Sequence, residues 1–157
     1  MANTTFSGPV RSKNGFSQIA ESSTTGALTG TQTLSTYTAT VTVANGATTG
    51  KEAAIGMPDN FLPLGVAVIV TTAATNAVNL VDVGSDADTD GYIDGLSVAV
   101  NSTGFKGFFG CNGVLTGLTG ANTTADEVEV VVSGDPGASG VTLVLKMFGI
   151  STTADTE

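Results

Sequence analysis

The sequence predicts an all-β fold: an antiparallel β-sandwich, jelly-roll-like, in a single domain with an extended N-terminal arm. Three observations carry that expectation. Apolar residues recur with period two in one run after another, Gly, Pro and Asn punctuate those runs at short intervals, and no 3.6-residue period is sustained anywhere. The chain has 157 residues, of which 41% are apolar. A domain of that size buries roughly 68–70% of the surface its unfolded chain exposes, enough for a self-sufficient core.

Taken in order, residues 1–33 are polar, rich in Ser, Thr and Gly, and marked by an Asn14-Gly15 turn signal; they read as an arm and irregular segments. The sandwich is expected over residues 34–150, with a frayed acidic tail at 151–157. In Tyr37–Val43 one face is Tyr37, Ala39, Val41 and Val43 and the other is Thr38, Thr40 and Thr42, the pattern of a half-buried strand with a solvated Thr face. Asn45-Gly46 predicts a hairpin turn after it. Lys51–Gly56 has the composition for a short helical turn, stopped by Gly56 and Pro58.

Phe61–Thr72 is apolar and β-branched, which predicts a central strand buried on both faces. Val78–Val83 predicts another strand, ending at Gly84, and Leu96, Val98 and Val100 alternate after it. Glycines at 107, 110, 113 and 117 break Phe105–Leu118 into short, bulged or bent pieces. Val128, Val130 and Val132 alternate, as do Val141, Leu143, Leu145 and Met147. These two runs read as an antiparallel pair joined through Ser133–Gly140.

Composition removes most enzyme classes. The chain has no histidine, which excludes Ser-His-Asp and Cys-His catalysis and imidazole-based zinc sites. No nucleophile elbow, phosphate-cradling Gly-Lys loop or dinucleotide fingerprint is present. A pair of carboxylates for glycoside hydrolysis has no distinguishable proton donor here, and Trp platforms for sugar stacking are absent. The single cysteine, Cys111, lies in the apolar stretch Phe108-Phe109-Gly110-Cys111 and reads as a small core residue. Phe105, Phe108 and Phe109 likewise read as core, in a Gly-rich setting that leaves room for a subunit contact. The expected protein is not an enzyme.

The net charge of −9 disfavours nucleic acid, whose phosphates call for a basic patch. The charge is unevenly placed. Residues 1–20 carry Arg11 and Lys13 with no acid, whereas the remainder carries three Lys against fourteen acids. The amino terminus lacks the charged and apolar regions of a secretory signal, and Leu64–Val70, the longest apolar stretch, is far short of the about 20 residues that span a bilayer. No membrane partner is expected, and assembly is expected in a cytosol. Asn3, Asn101 and Asn122 begin N-x-Thr/Ser triplets, read as incidental surface loops.

One constellation has the composition of a metal site. Asp82, Asp86, Asp88, Asp90 and Asp94 fall within thirteen residues. Counted from Asp86, carboxylates occupy positions 1, 3, 5 and 9, with Gly91 at position 6 and Ile93 at position 8, as in a calcium-binding EF-hand loop. Two features of that loop are missing: position 12 is Ser97 rather than Glu, and the flanks read as strands. Asp86, Asp88, Asp90 and Asp94 are thus candidate ligands of a structural calcium that the fold does not require. The competing reading is a solvated loop whose Asp and Gly residues satisfy their own backbone.

Two stretches carry a family likeness. Phe6-Ser-Gly-Pro-Val-Arg-Ser12 with Gly15-Phe16 resembles the opening of small virion proteins of tailed bacteriophages, marine and cyanobacterial ones in particular. Met57-Pro-Asp-Asn60, Val66–Thr72 and Val81-Asp-Val-Gly-Ser-Asp86 through Tyr92-Ile-Asp-Gly95 resemble the sandwich core of such proteins. The resemblance implies a head decoration (cement) protein: a β-sandwich, commonly a homotrimer, that clamps major capsid protein subunits on the virion exterior after assembly in the host cytoplasm. It implies no catalytic residue. The arm residues Phe6, Pro9, Val10, Arg11, Lys13 and Phe16 are then the expected capsid-binding contacts, the cations steering toward an acidic surface and the backbone free to add a strand. The alternatives are a receptor- or glycan-binding fibre or adhesin module with a calcium-dependent loop, and a tail or neck component.

Overall fold

The computed structural model describes residues 17–21, 28–53, 61–114 and 127–153. These form β1 (Ser17–Glu21), β2 (Leu28–Val43), β3 (Thr49–Lys51), β4 (Phe61–Thr72), β5 (Asn79–Ser85), β6 (Asp88–Ile93), β7 (Val98–Ala99), β8 (Gly104–Gly110), β9 (Val128–Val132) and β10 (Val141–Thr153). There is no α-helix among the described residues, hence none long and apolar enough to cross a membrane. Sheet A has the order β1-β2-β10-β4-β8, and sheet B the order β3-β9-β5-β6, with β7 also paired to β5.

All the pairings are antiparallel, and they nest. β2 pairs with β10, β3 with β9, β4 with β8 and β5 with β6, so the chain is one long hairpin folded over itself. That winding is the jelly roll, with eight strands in two packed sheets and β1 added at the edge of sheet A. The fold class expected from the sequence is the one observed.

Period two dictates the interior. Ala39, Val41 and Val43 of β2, Val66, Val68 and Val70 of β4, and Val141, Leu143, Leu145 and Met147 of β10 face inward from sheet A. Leu80, Val83, Val128, Val130 and Val132 meet them from sheet B, and all of these side chains are buried. The register of β2 with β10 runs unbroken from Thr31↔Thr153 to Val43↔Val141. It makes β10 the centre of sheet A and keeps every Thr of the Tyr37–Val43 stretch on the outer side.

Four expectations change. Strand structure begins earlier and ends later than the 34–150 boundaries: β1 and the start of β2 fall within residues 17–33, and β10 continues to Thr153. Ser, Thr and Gln satisfy a ladder without an apolar face, so their strands carry no hydrophobic alternation. The arm proper (residues 1–16) and the last tail residues, 154–157, lie outside the described residues.

Second, β9 and β10 do not pair. β9 belongs to sheet B and β10 to sheet A, so Ser133–Gly140 crosses between the sheets. Third, Asn45-Gly46 does turn the chain, closed by the Ala47 amide donating to the Ala44 carbonyl, but the turn passes from sheet A to sheet B rather than closing a hairpin. Fourth, Lys51 ends strand β3 instead of opening a helical turn, and residues 54–60 lie outside the described residues.

The crossing loops at this end are tied together. Asp135 Oδ1 accepts from the amides of Gly137 (2.8 Å) and Gly46 (2.9 Å), joining the 133–140 loop to the turn after β2. The Pro136 carbonyl accepts from the Thr75 amide, and Asn76 Nδ2 donates to the Asp135 carbonyl, which brings in the β4–β5 connection. Donation from Gly137 and then Gly46 holds the Asp135 carboxyl below its ordinary value of 3.8.

Candidate functional site

The aspartate run is a hairpin, not a loop. Asp86 and Ala87 form a two-residue turn between β5 and β6, with Ser85 opposite Asp88. Gly84 makes the hairpin tight, because a Cβ there would run into the Asp88 and Thr89 backbone. Asp88 and Asp90 are two apart in β6 and so lie on one side of the strand.

Their carboxyls hydrogen-bond to each other. That contact, above the smaller effects of desolvation and of the Asp90 charge, raises the pKa of Asp88. Asp86 turns instead to Lys51, whose Nζ contacts its carboxylate. Asp94 lies beyond β6, where its amide donates to Asn112 Oδ1 and its carbonyl accepts from Asn112 Nδ2, both at 3.0 Å. Asp82 accepts from the Gly95 amide at 3.0 Å.

Within the run, the Asp82 carboxylate thus satisfies the Gly95 amide, and Asn112 satisfies the Asp94 backbone from outside it. The run does not gather Asp86, Asp88, Asp90 and Asp94 around one point, and among the described residues no group of three or more acidic, Cys or His side chains is placed to hold a metal ion.

Lys51 is the hub of this acidic side. Besides Asp86 it meets Glu129 Oε2 at 3.6 Å and Glu127 Oε2 at 4.0 Å. Glu129 sits opposite Lys51 in the β3–β9 ladder and opposite Gly84 in the β5–β9 ladder. Its side chain is only 7% exposed, against 44% for Lys51. A carboxylate that far from water needs a cation, and Lys51 provides it. The cluster is structural chemistry within sheet B.

The outer face of sheet A is built differently. Its rows read Thr40, Val144, Ile69, Phe105 and then Thr38, Lys146, Ala67, Phe108 across β2, β10, β4 and β8. Phe105 is 66% exposed and Phe108 55%. The Phe108 ring lies over Gly65, where any Cβ would strike it, and packs edge-on against Phe148 with centroids 5.4 Å apart at 74°. Of the three phenylalanines read as core, only Phe109 packs against it; Phe105 and Phe108 face out. The sequence held a signal for this: Val144 and Phe148 stand in the polar phase of β10, opposite Thr40 and Thr36 of β2.

Cys111 packs against the core, and burial pushes its thiol up to about 11, so it stays protonated and is no nucleophile. The six arm residues Phe6, Pro9, Val10, Arg11, Lys13 and Phe16 lie outside the described residues, immediately ahead of the edge strand β1.

No protein-family model matches the chain, and no curated protein matches it in sequence. The solved structure described as "Cyanophage Pam1 capsid asymmetric unit" is similar over 94% of this chain and 94% of its own, with a TM-score of 0.41 and 13% identity.

Proposed function

We propose that this chain is a non-enzymatic structural protein of a tailed-bacteriophage virion: a decoration (cement) protein that binds major capsid protein subunits on the capsid exterior, as a homotrimer assembled in the host cytoplasm. The observation that carries the reading is a division of labour along the chain. A braced jelly roll, in which Asp82, Asp86, Glu129 and Asp135 are tied into turns and the Lys51 cluster, is preceded by an acid-free cationic segment directly before its edge strand.

Jelly rolls serve chiefly as capsid, lectin and cupin domains. Cupin chemistry relies on histidine ligands that this chain lacks, and a sugar platform has no Trp to use. The fold by itself assigns no function, so the weight falls on the arm and on the sequence resemblance of residues 6–16 and 57–95. Arg11 and Lys13 steer toward acidic capsid surface, Phe6, Pro9, Val10 and Phe16 supply apolar contact, and three linked arms bind by avidity.

Deletion of residues 1–16 tests this, because it leaves every described strand of the sandwich intact. The truncated protein keeps its melting temperature and oligomeric state and fails to co-sediment with expanded capsids. Undiminished co-sedimentation would exclude the arm as the anchor.

A further inference from the structure

We infer that the outer face of sheet A, centred on Phe105, Phe108 and Phe148 with Lys146 beside them, is a second docking surface, and that it takes a different protein whose contact is apolar at its centre and acidic at its rim. The inference rests on the capsid-binding reading above, and makes the same acidic capsid surface the occupant.

Charge placement is the first ground. β2, β4, β8 and β10 contain no Asp or Glu at all, in a chain with fourteen acids. They contain two of its five basic residues, Lys106 and Lys146. Lys106 bonds only to the neutral Ser102 hydroxyl, and among the described residues every ion pair is made by Lys51. Of the three described cations, Lys51 is paired with carboxylates, and the other two, Lys146 and Lys106, lie on this face and at its β8 edge. An acidic partner is the one that complements it.

The face, rather than the edge, is the contact. Register slips in the β4–β8 ladder at Val68/Ile69, which places Lys106 in a bulge between Phe105 and Gly107. A bulge with a lysine blunts a strand edge against addition of another strand. The aromatic rings instead stand out from the sheet, Phe108 propped on Gly65 and Phe148. The apolar area continues toward one end of the face through Leu34, Ile150 and Leu62, which lie side by side in the ladder. Leu34 is 69% exposed. Contiguous exposure of this kind marks an interaction surface.

A second copy of this chain complements the face poorly. Face-to-face pairing through a twofold axis near the middle of the face would bring the two Lys146 side chains together. Pairing onto the acidic side of sheet B leaves the rings without apolar company, because the large exposed apolar residues of the described strands, Leu34, Leu64, Phe105 and Phe108, all lie in sheet A.

The test uses the full chain with expanded capsids in a co-sedimentation titration at low and at physiological salt, comparing the unaltered protein with Phe105→Ser and Lys146→Glu. Both substitutions are at exposed positions, and a thermal melt of each checks folding. The expected result is at least a tenfold loss of capsid affinity in each variant, with unchanged melting temperature and oligomeric state, and a weaker salt dependence for Lys146→Glu. Wild-type affinity in both variants overturns this inference and leaves the capsid-binding reading standing. Absence of binding by the unaltered protein overturns both. Breakdown of the oligomer in either variant also overturns it, since the occupant is then a second copy.

Discussion

The two sheets of this sandwich handle charge in opposite ways. Sheet B places Asp82, Asp88, Asp90 and Glu129 on its strands and answers two of them internally, Glu129 with Lys51 and Asp82 with the Gly95 amide. The four jelly-roll strands of sheet A carry no carboxylate and turn lysine and phenylalanine outward. Charge that is satisfied within a fold holds the fold together, whereas charge and apolar surface left unanswered are what a partner can use. Substitutions of the sheet B charges should therefore move stability and leave capsid affinity alone, and those on the outer face of sheet A the reverse.

The largest stability effect is expected at Lys51. Lys51→Met leaves Glu129 as an acceptor without its cation, a loss of about 1–3 kcal/mol for a buried charged group. Because Lys51 and Asp86 are each about half exposed, solvent screening places the value toward the lower end of that range. A urea titration checks the size, and capsid co-sedimentation should match the unaltered protein. A stability loss at Lys146→Glu as large as that at Lys51→Met would erase the contrast between the sheets.

Next comes the braced loop end. The Asp135 carboxyl titrates below its ordinary value, so its contribution is fully present above 3.8 and is lost as the pH falls through the depressed native value. Asp135→Ala should lower the melting temperature at neutral pH, and its gap from the unaltered protein should close under acid. The raised Asp88 carboxyl acts in the opposite sense. Its native form holds a proton more tightly, so it stabilises at low pH and loses that contribution as pH rises through the raised value. A gap at Asp135→Ala that stays constant down to pH 2 would contradict the brace.

The smallest effect is expected from calcium. Because Asp86, Asp88, Asp90 and Asp94 are spread over a turn, a strand and a following bend, millimolar Ca²⁺ should leave the melting temperature where chelator leaves it. A clear upward shift would show that the acidic hairpin rearranges around an ion.

Period two made the interior legible in the sequence. Val41, Val130 and Leu143 stood on the apolar phase of alternating runs and are buried, whereas Phe61–Thr72, expected to be buried on both faces, exposes Leu64 on its outer side. The partner of each strand was not marked, because alternation says which way a side chain points and nothing about which strand lies beside it. β9 and β10 show the cost: both alternate, a Gly-Asp-Pro-Gly loop joins them, and they nevertheless lie in opposite sheets. Strands without an apolar face escaped for the complementary reason. β1 and the first part of β2 pair with each other in a ladder that this signal does not report.

At the acidic run, the spacing of Asp86, Asp88, Asp90 and Asp94 matched a calcium loop because a strand with alternate aspartates has the same spacing. The Ser85↔Asp88 pairing now adds to Ser97 at position 12 and the strand flanks in separating the two. Phe105 and Phe108 were read inward because aromatics in a globular chain usually are, and the bulge at Lys106 that sets their phase leaves no mark in composition.

Reconstruction of expanded heads incubated with the full-length protein, by electron microscopy, tests the central claim most directly. The account predicts added density over the whole capsid exterior at regular lattice positions, fitted by the jelly roll with the outer face of sheet A toward the shell. Density confined to the tail or neck, or bare capsids at saturating protein, would contradict it.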